Sequence, residues 1–175
     1  MKRVQIVGSI GSGKTSLGKK LSKKLNIPHL ELDTLFWLPG WEIRPALEII
    51  DLAYKEAEKP TWIFCGNYSF LKHVTLDNAD TIVWLDYPFW LCFWQTLKRA
   101  IKNIIKQQKC CNGNQETFTR LFFSKNSILL WMIRTFKRRN ERYAQLMHDP
   151  EYTDKTFVRF KSRKETKQWL ENLHV

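Results

Sequence analysis

Short apolar stretches alternate along the chain with longer segments of helical periodicity. The stretches at 3–7, 61–65 and 81–85 have the length and the β-branched content of buried strands. Shorter strands are predicted at 29–32 and 155–160. Because the main stretches are apolar along their whole length, they predict a parallel sheet that is covered on both faces.

Helices are predicted between these strands. The leucines that share one face of the first helix are Leu17, Leu21 and Leu25. Further helices are predicted at 45–58, 89–106, 128–147 and from 162 onward, where Ser162 and Glu165 form a capping-box pattern. This alternation predicts an α/β fold, and 175 residues suit a single domain over 1–175.

The apolar runs and the cysteines indicate where in the cell the protein is expected. No apolar run reaches the roughly 20 residues that a membrane helix needs. The apolar residues after Met1 are too few for a secretory signal. The four cysteines include no C-x-x-C pair and do not suggest a disulfide framework. We therefore expect a cytoplasmic protein with no membrane partner.

A phosphate-binding loop links the first strand to the first helix. Residues 8–15 read G-x-x-x-x-G-K-T, and the motif has the strand before it and the helix after it that it requires. Its glycines allow backbone N–H groups to turn around an anion, and the helix N-terminus adds a favourable dipole. The predicted nucleotide-binding residues are Gly8, Ser9, Gly11, Ser12, Gly13, Lys14, Thr15 and Ser16.

The loop also predicts which cofactors bind. Lys14 is expected to reach the β- and γ-phosphates of ATP or GTP, and the Thr15 hydroxyl to ligate Mg²⁺. ATP and Mg²⁺ are therefore the predicted cofactors, and Lys14 is a predicted catalytic residue.

Carboxylates follow two of the predicted strands. Asp33 and Asp86 lie at strand ends that line the ligand crevice of an open parallel sheet. Thr15, Asp33 and Asp86 form the predicted metal site, since such sites need an acid for Mg²⁺ or its waters. Asp33 has an alternative catalytic role on an acceptor hydroxyl, and Asp86 an alternative role as a helix cap. Glu31 is expected to flank the site.

The positive charge is concentrated in one segment. The net charge is +12, and residues 98–142 contain twelve lysines or arginines but two acids, so they carry ten of these charges. Such a segment attracts polyanions, which include nucleotides, phosphorylated substrates and nucleic acid. Charge alone does not choose among them.

With these residues placed, the chain resembles the nucleoside-monophosphate-kinase-like P-loop proteins. Within them it is most similar to the DNA topology modulation proteins. The similarity covers essentially the whole chain, and its motifs are the 8–15 loop, L-D-T-L-F-W at 32–37, P-G-W at 39–41, G-N-Y at 66–68, the 79–88 stretch and R-K-E at 163–165.

The resemblance implies a three-layer P-loop NTPase fold, with a five-stranded parallel sheet of order 2-3-1-4-5. It implies an acceptor-side arm at 34–60 and a lid at about 107–140. Basic residues of the lid would clamp the transferred phosphoryl group, with Arg134 and Arg138 as the predicted catalytic pair and Arg142 continuing their face. Arg139 is a further candidate for the clamp, with a place facing solvent as its alternative, and Lys137 is expected to face solvent.

Two departures from the resemblance bear on catalysis. Relatives usually carry Asp before the G-N-Y glycine, where the magnesium shell is held, but here Cys65 occupies that position, and a neutral thiol is a poor partner for a hard cation. The Pro-Arg of adenylate kinases is replaced by Asn67-Tyr68. Asp33 or Asp86 would then carry the metal, or catalysis is weak.

The aromatic residues support two interpretations. Phe36, Trp37 and Trp41 either stack on the acceptor or pack the arm onto the sheet, and packing is favoured. The tryptophans expected in the core are Trp90, Trp94 and Trp131.

The leading function is a phosphotransferase that moves the γ-phosphate of Mg-ATP to a nucleotide or another small acceptor. The alternative is a nucleotide-binding regulator of DNA topology that contacts DNA through the 98–142 segment, although no known nucleic-acid module is visible.

Overall fold

The computed structural model describes residues 1–123 and 127–173; Lys125 of the basic segment lies outside them. A five-stranded parallel sheet forms the centre, with strand order β2-β3-β1-β4-β7. Its strands are β1 (Arg3–Gly8), β2 (His29–Glu31), β3 (Trp62–Cys65), β4 (Thr81–Leu85) and β7 (Thr156–Phe160). The last is the fifth strand of the predicted sheet, so the predicted order is confirmed.

Helices cover both faces of the sheet. They are α1 (Lys14–Leu25), α2 (Leu32–Phe36), α3 (Ala46–Ala57), α4 (Lys72–Thr75), α5 (Phe89–Ile105), α6 (Ile128–Leu146) and α7 (Arg163–Asn172). Short helical turns occur at Pro39–Trp41, Ser69–Leu71, Thr119–Phe123 and Pro150–Tyr152. No helix within 1–123 or 127–173 is long and apolar enough to cross a membrane.

Strand β4 shows how the two core layers arise. All five of its residues are buried. Ile82 and Trp84 belong to the cluster under α3 and α4, whereas Val83 and Leu85 belong to the cluster under α1 and α7. Successive side chains of a strand point to opposite faces, so a continuous apolar strand fills both layers. The predicted three-layer α/β fold is confirmed.

An antiparallel hairpin lies inside the predicted lid. It consists of β5 (Lys109–Cys110) and β6 (Asn114–Gln115). The three turn residues, Cys111, Asn112 and Gly113, have φ values of 37°, 61° and 85°. Asn and Gly tolerate this left-handed region, whereas Cys rarely adopts it. The sequence predicted only a polar loop here.

Two local expectations are corrected. Strand β2 ends at Glu31, and helix α2 begins at Leu32, so Asp33 lies in the first turn of a short helix. Trp90, Trp94 and Trp131 are not core residues, because 66%, 53% and 42% of their respective surfaces are exposed. On α5 the buried positions are instead Cys92, Thr96 and Ala100, which places both tryptophans on the outward face.

Candidate active site

The phosphate-binding loop turns into α1 through residues with left-handed backbone angles. Gly11 and Gly13 have φ values of 73° and 93°, and Lys14 is the first residue of the helix. A Cβ on Gly11 would lie 2.3 Å from both the Cys92 carbonyl oxygen and the Thr96 hydroxyl. Only glycine therefore lets the loop pack directly on α5.

Asn67 fixes the start of this loop. Its Nδ2 donates to the Gly8 carbonyl at 2.6 Å, and its Oδ1 accepts from the Gly8 amide at 3.2 Å. The same oxygen accepts from the Tyr143 hydroxyl at 3.1 Å. One side chain therefore joins the loop, the segment after β3 and helix α6.

Lys14 is held inside the loop. Its Nζ donates to the carbonyl oxygens of Gly8 and Ser9, each at 2.9 Å. Burial lowers the pKa of Lys14 to about 8; the Asp33 carboxylate opposes this, and the cation of Arg139 adds to it. A bound phosphate would restore the ammonium form, because it places negative charge beside the amine.

Glu31 is the carboxylate that contacts the predicted metal ligand Thr15. The Thr15 hydroxyl donates to Glu31 Oε2 at 2.9 Å, and Lys19 lies 3.3 Å from the other oxygen. Glu31 is paired with Cys65 across β2 and β3. A carboxylate is thus present one strand away from the position where the resemblance leads one to expect Asp. From the sequence, Glu31 was expected only to flank the site.

Cys65 provides no charge to this site. Its thiol is buried, lies 3.1 Å from His29 Nε2, and donates to the Lys14 carbonyl at 3.4 Å. Burial raises the pKa of Cys65, and it is also the main reason that the pKa of His29 is lowered. Both groups are therefore neutral near pH 7.

Asp33 is exposed, and its charge acts on Lys14. The Tyr68 hydroxyl donates to Asp33 Oδ1 at 2.6 Å. Burial is the main cause that raises the pKa of Tyr68, and Asp33 adds to it, so Tyr68 stays protonated and keeps donating. The hydrogen bond fixes one oxygen of Asp33, and the carboxylate remains accessible.

Asp86 is engaged by protein groups. Arg159 donates to Asp86 Oδ2 from Nε at 2.9 Å and from Nη2 at 2.5 Å, and Asn140 donates to Oδ1 at 3.0 Å. Only 12% of the Asp86 side chain is exposed. In the described part of the chain, no three His, Cys, Asp or Glu residues cluster in a way that suits a metal ion.

The lid arginines are arranged differently from the expectation. Arg134 and Arg138 are exposed, whereas Arg139 is half-buried and lies 3.8 Å above the Trp131 ring. The charge of Arg139 acts on both Lys14 and Tyr68. Of the two places left open for Arg139 by the sequence, the half-buried one is observed. Arg139 shares the inward face of α6 with buried Met132 and Tyr143.

The lid hairpin is joined to the acceptor-side arm by hydrogen bonds. Asn112 Nδ2 donates to the carbonyls of Thr34 and Trp37 at 2.7 and 2.6 Å. Asn114 Nδ2 donates to the Leu38 carbonyl at 2.9 Å, and Asn114 Oδ1 accepts from the Trp41 amide at 2.7 Å. The hairpin and the arm are therefore joined near Asp33, whose charge acts on Cys111.

The aromatic residues of the arm pack against one another. Phe36 stacks on Tyr68 at 4.9 Å between ring centroids, and Trp37 meets Phe36 edge-on at the same distance. Trp37 also meets Trp41 edge-on at 5.3 Å. These contacts agree with the packing interpretation, and they hold Tyr68 where it reaches Asp33.

Comparison with curated proteins gives short matches. No family model matches the chain. It is 54% identical over 35 residues to shikimate kinase of Flavobacterium psychrophilum and 47% identical over 34 residues to that of Enterococcus faecalis. These matches span 20% and 19% of this chain and 20% of each relative, so they cover about a fifth of the curated relatives.

Comparison with solved structures covers nearly the whole chain. Shikimate kinase from Acinetobacter baumannii in complex with shikimate superimposes with a TM-score of 0.61 at 14% identity, over 98% of this chain and 89% of that one. A gluconokinase from Sinorhizobium meliloti gives 0.53 at 12%, over 97% and 87%. Deoxyadenosine kinase from M. mycoides gives 0.53 at 14%, over 97% and 95%.

At such identities the likeness establishes the fold, which is that of the P-loop kinases. The narrower resemblance to the DNA topology modulation proteins is not confirmed by these comparisons and stays a hypothesis.

Proposed function

We propose that this chain transfers the γ-phosphoryl group of ATP to a hydroxyl group of a small acceptor. The observation that carries the proposal is the placement of two carboxylates at the end of β2. Glu31 contacts Thr15 of the phosphate-binding loop, and Asp33, held by Tyr68, is exposed next to Thr34, where the hairpin is bonded to the arm. Phosphoryl transfer needs such a division between a nucleotide-side acid and an acceptor-side acid.

On the nucleotide side, Lys14 would exchange its bonds to the Gly8 and Ser9 carbonyls for phosphate oxygens. Backbone amides of the loop and the N-terminus of α1 would bind the same anion. Arg139 is the lid arginine that we propose as the clamp on the transferred phosphoryl group, since its charge already acts on Lys14. The clamp role of exposed Arg134 and Arg138 stays a prediction.

The donor set near the loop suits magnesium. A threonine hydroxyl and one or two carboxylates, completed by phosphate oxygens and water, form the usual Mg²⁺ site of phosphoryl-transfer enzymes. Thr15 and Glu31 would hold the ion here. Asp33 is the predicted further carboxylate ligand. The ion would offset charge on the transferred group. For Asp86 the predicted metal role stays a prediction, because both of its oxygens accept hydrogen bonds from protein groups.

On the acceptor side, Asp33 would orient the hydroxyl and accept its proton as the new P–O bond forms. The Tyr68 hydrogen bond keeps one oxygen fixed and leaves the other for the acceptor. Thr34, Trp37 and Leu38 accept hydrogen bonds from the hairpin through their backbone carbonyls, which would keep the hairpin beside the bound acceptor.

The test is a phosphorus NMR assay with Mg-ATP and a panel of nucleosides, nucleoside monophosphates and small hydroxy acids. We expect one acceptor class to give a new phosphate signal. Lys14→Ala and Asp33→Asn should each abolish it, whereas Asp51→Asn, on the exposed side of α3, should leave it unchanged. Binding of ATP with no product from any acceptor in this panel would overturn the proposal.

Three further predictions concern DNA binding, family membership and cellular location. The basic segment supports no separate proposal of DNA binding, since its charge equally suits nucleotides and phosphorylated substrates. Membership of the DNA topology modulation proteins and a cytoplasmic location stay predictions.

A further inference from the structure

We propose that Cys110 and Cys111 form a modification site on the lid, a vicinal dithiol that a small disulfide oxidises to an internal disulfide and that a bidentate thiol reagent bridges. Among the described residues, these are the cysteines outside the core; Cys65 and Cys92 are buried and belong to it. The phosphate transfer proposed above has no use for either lid thiol.

The two thiols are held together by the hairpin. Cys110 ends strand β5, and Cys111 begins the turn that leads to β6. Both residues are half-buried, so a small reagent reaches them. The backbone of Cys111 has a φ of 37°, an angle at which a side chain other than glycine is strained. Cysteine at this turn position is therefore not explained by turn preference.

The hairpin transmits changes at this pair to the acceptor-side arm. The Cys111 carbonyl accepts from Asn114 Nδ2 at 2.7 Å, and the same amide nitrogen binds the Leu38 carbonyl. Asn112, the next residue, holds the carbonyls of Thr34 and Trp37. A disulfide between adjacent cysteines closes a ring that includes their peptide bond, so it must change the backbone from which these contacts project.

The two thiols have different electrostatic surroundings. The neighbouring Cys111 thiol is the main cause that lowers the pKa of Cys110, and the Arg99 cation adds to it against opposition from burial, Glu116 and Asp33. The reciprocal hydrogen bond raises the pKa of Cys111, with burial and Asp33 adding to it. Cys110 is therefore the attacking thiolate and Cys111 the resolving thiol.

The chemistry is a thiol–disulfide exchange in two steps. The Cys110 thiolate attacks one sulfur of a low-molecular-weight disulfide, which breaks the S–S bond and releases one thiolate. Cys111 then loses its proton and attacks the Cys110 sulfur, and the second small thiol leaves. The dithiol loses two electrons and two protons, and the oxidant is reduced to two thiols.

The experiment treats the full chain with oxidised glutathione and maps the cysteines by mass spectrometry. Wild type should form the Cys110–Cys111 disulfide. Cys111→Ser should stop at a mixed disulfide on Cys110, and Cys110→Ser should react at least about tenfold more slowly. Phenylarsine oxide should bind wild type and be retained by neither single variant after washing.

A second measurement tests the coupling without any assay of activity. Hydrogen exchange of peptides covering 34–41 and 109–115 should be faster in the oxidised protein by severalfold, and reduction should reverse the change. Modification at Cys65 or Cys92, or equal rates at Cys110 and Cys111, would overturn the site. A disulfide that leaves both peptides unchanged would overturn its link to the arm.

The expected effect on catalysis rests on the proposed function, since it assumes that the arm binds the acceptor. If no acceptor is ever phosphorylated, mapping and hydrogen exchange still decide whether the dithiol exists. If an acceptor is found, oxidation should raise its KM by severalfold and change the Kd of ATP little; an equal rise in both would contradict the coupling.

Discussion

At the scale of single residues, the geometry of the site depends on a few side chains that each make two kinds of contact. Asn67 binds both backbone groups of Gly8 and also receives Tyr143. Tyr68 stacks on Phe36 while it donates to Asp33. These shared contacts fix the loop and Asp33 relative to the same sheet, because both Asn67 and Tyr68 follow β3.

The lowered pKa of Lys14 predicts that nucleotide binding is coupled to uptake of a proton. With its pKa lowered to about 8, Lys14 is mostly neutral at a pH about one unit higher, and phosphate binding should then take up roughly one proton. At a pH about one unit lower, uptake should be small and affinity higher. Calorimetry in buffers of different ionisation enthalpy measures this uptake.

The control variants for this linkage both lie on α1. Lys14→Met should show no uptake at either pH, whereas Lys20→Met, at an exposed position, should behave as wild type. Equal uptake in Lys14→Met and wild type would assign the linkage to another group.

The hydrogen bond from Tyr68 to Asp33 predicts that removal of the Tyr68 hydroxyl lowers turnover but leaves ATP binding unchanged. Tyr68→Phe keeps the stacked ring and removes the donor to Asp33, so kcat should fall by about tenfold or more while the Kd of ATP is unchanged. Steady-state kinetics and ATP titration measure the two effects. Tyr54→Phe, which changes an exposed tyrosine of α3, should alter neither, and an unchanged kcat in Tyr68→Phe would remove Tyr68 from the mechanism.

At the scale of elements, the close approach of α1 to the sheet depends on Gly18. A Cβ there would lie 2.4 Å from His29 Nε2 and 2.7 Å from Cys65 Sγ. The helix therefore rests directly on the ends of β2 and β3, which brings Thr15 to Glu31.

Gly18→Ala should accordingly destabilise the fold. Alanine favours a helix over glycine by about 0.5–1 kcal/mol, but the clash with His29 and Cys65 should cost about 1–3 kcal/mol, so the free energy of unfolding should decrease. Urea denaturation measures the difference. Lys20→Ala, on the exposed face of the same helix, should change stability by no more than about 0.5 kcal/mol. A Gly18→Ala protein as stable as wild type would show that α1 can move away from the sheet.

Some elements and contacts of the structure could be predicted from the sequence, and others could not. The loop at 8–15 was predictable because a short contiguous motif determines it, and strands β3 and β4 because every residue in them is buried. The contact between Glu31 and Thr15 depends on how β2 pairs with β3, and local patterns do not specify that pairing. Which lid arginine points inward could not be read from the sequence, because the buried residues of α6, Met132 and Tyr143, set the rotation of the helix.

At the scale of the whole molecule, the net charge of +12 gives a strong attraction to any polyanion. We expect duplex DNA to bind weakly and without sequence preference, with affinity falling steeply between about 50 and 200 mM salt. Mg-ATP should not change that slope. Fluorescence anisotropy with two unrelated duplexes measures it. Binding that resists salt, prefers one duplex and responds to ATP would favour the DNA-contacting alternative.

The contacts between the lid hairpin and the arm are made mostly to backbone groups. Asn112 and Asn114 bind the main chain of Thr34, Trp37, Leu38 and Trp41. These hydrogen bonds are therefore largely independent of which side chains the arm carries. If the arm binds the acceptor as proposed, substitutions in it should reshape the acceptor pocket without loss of these contacts. The same frame could thus acquire new acceptors over evolution, and directed evolution of specificity should begin with arm side chains.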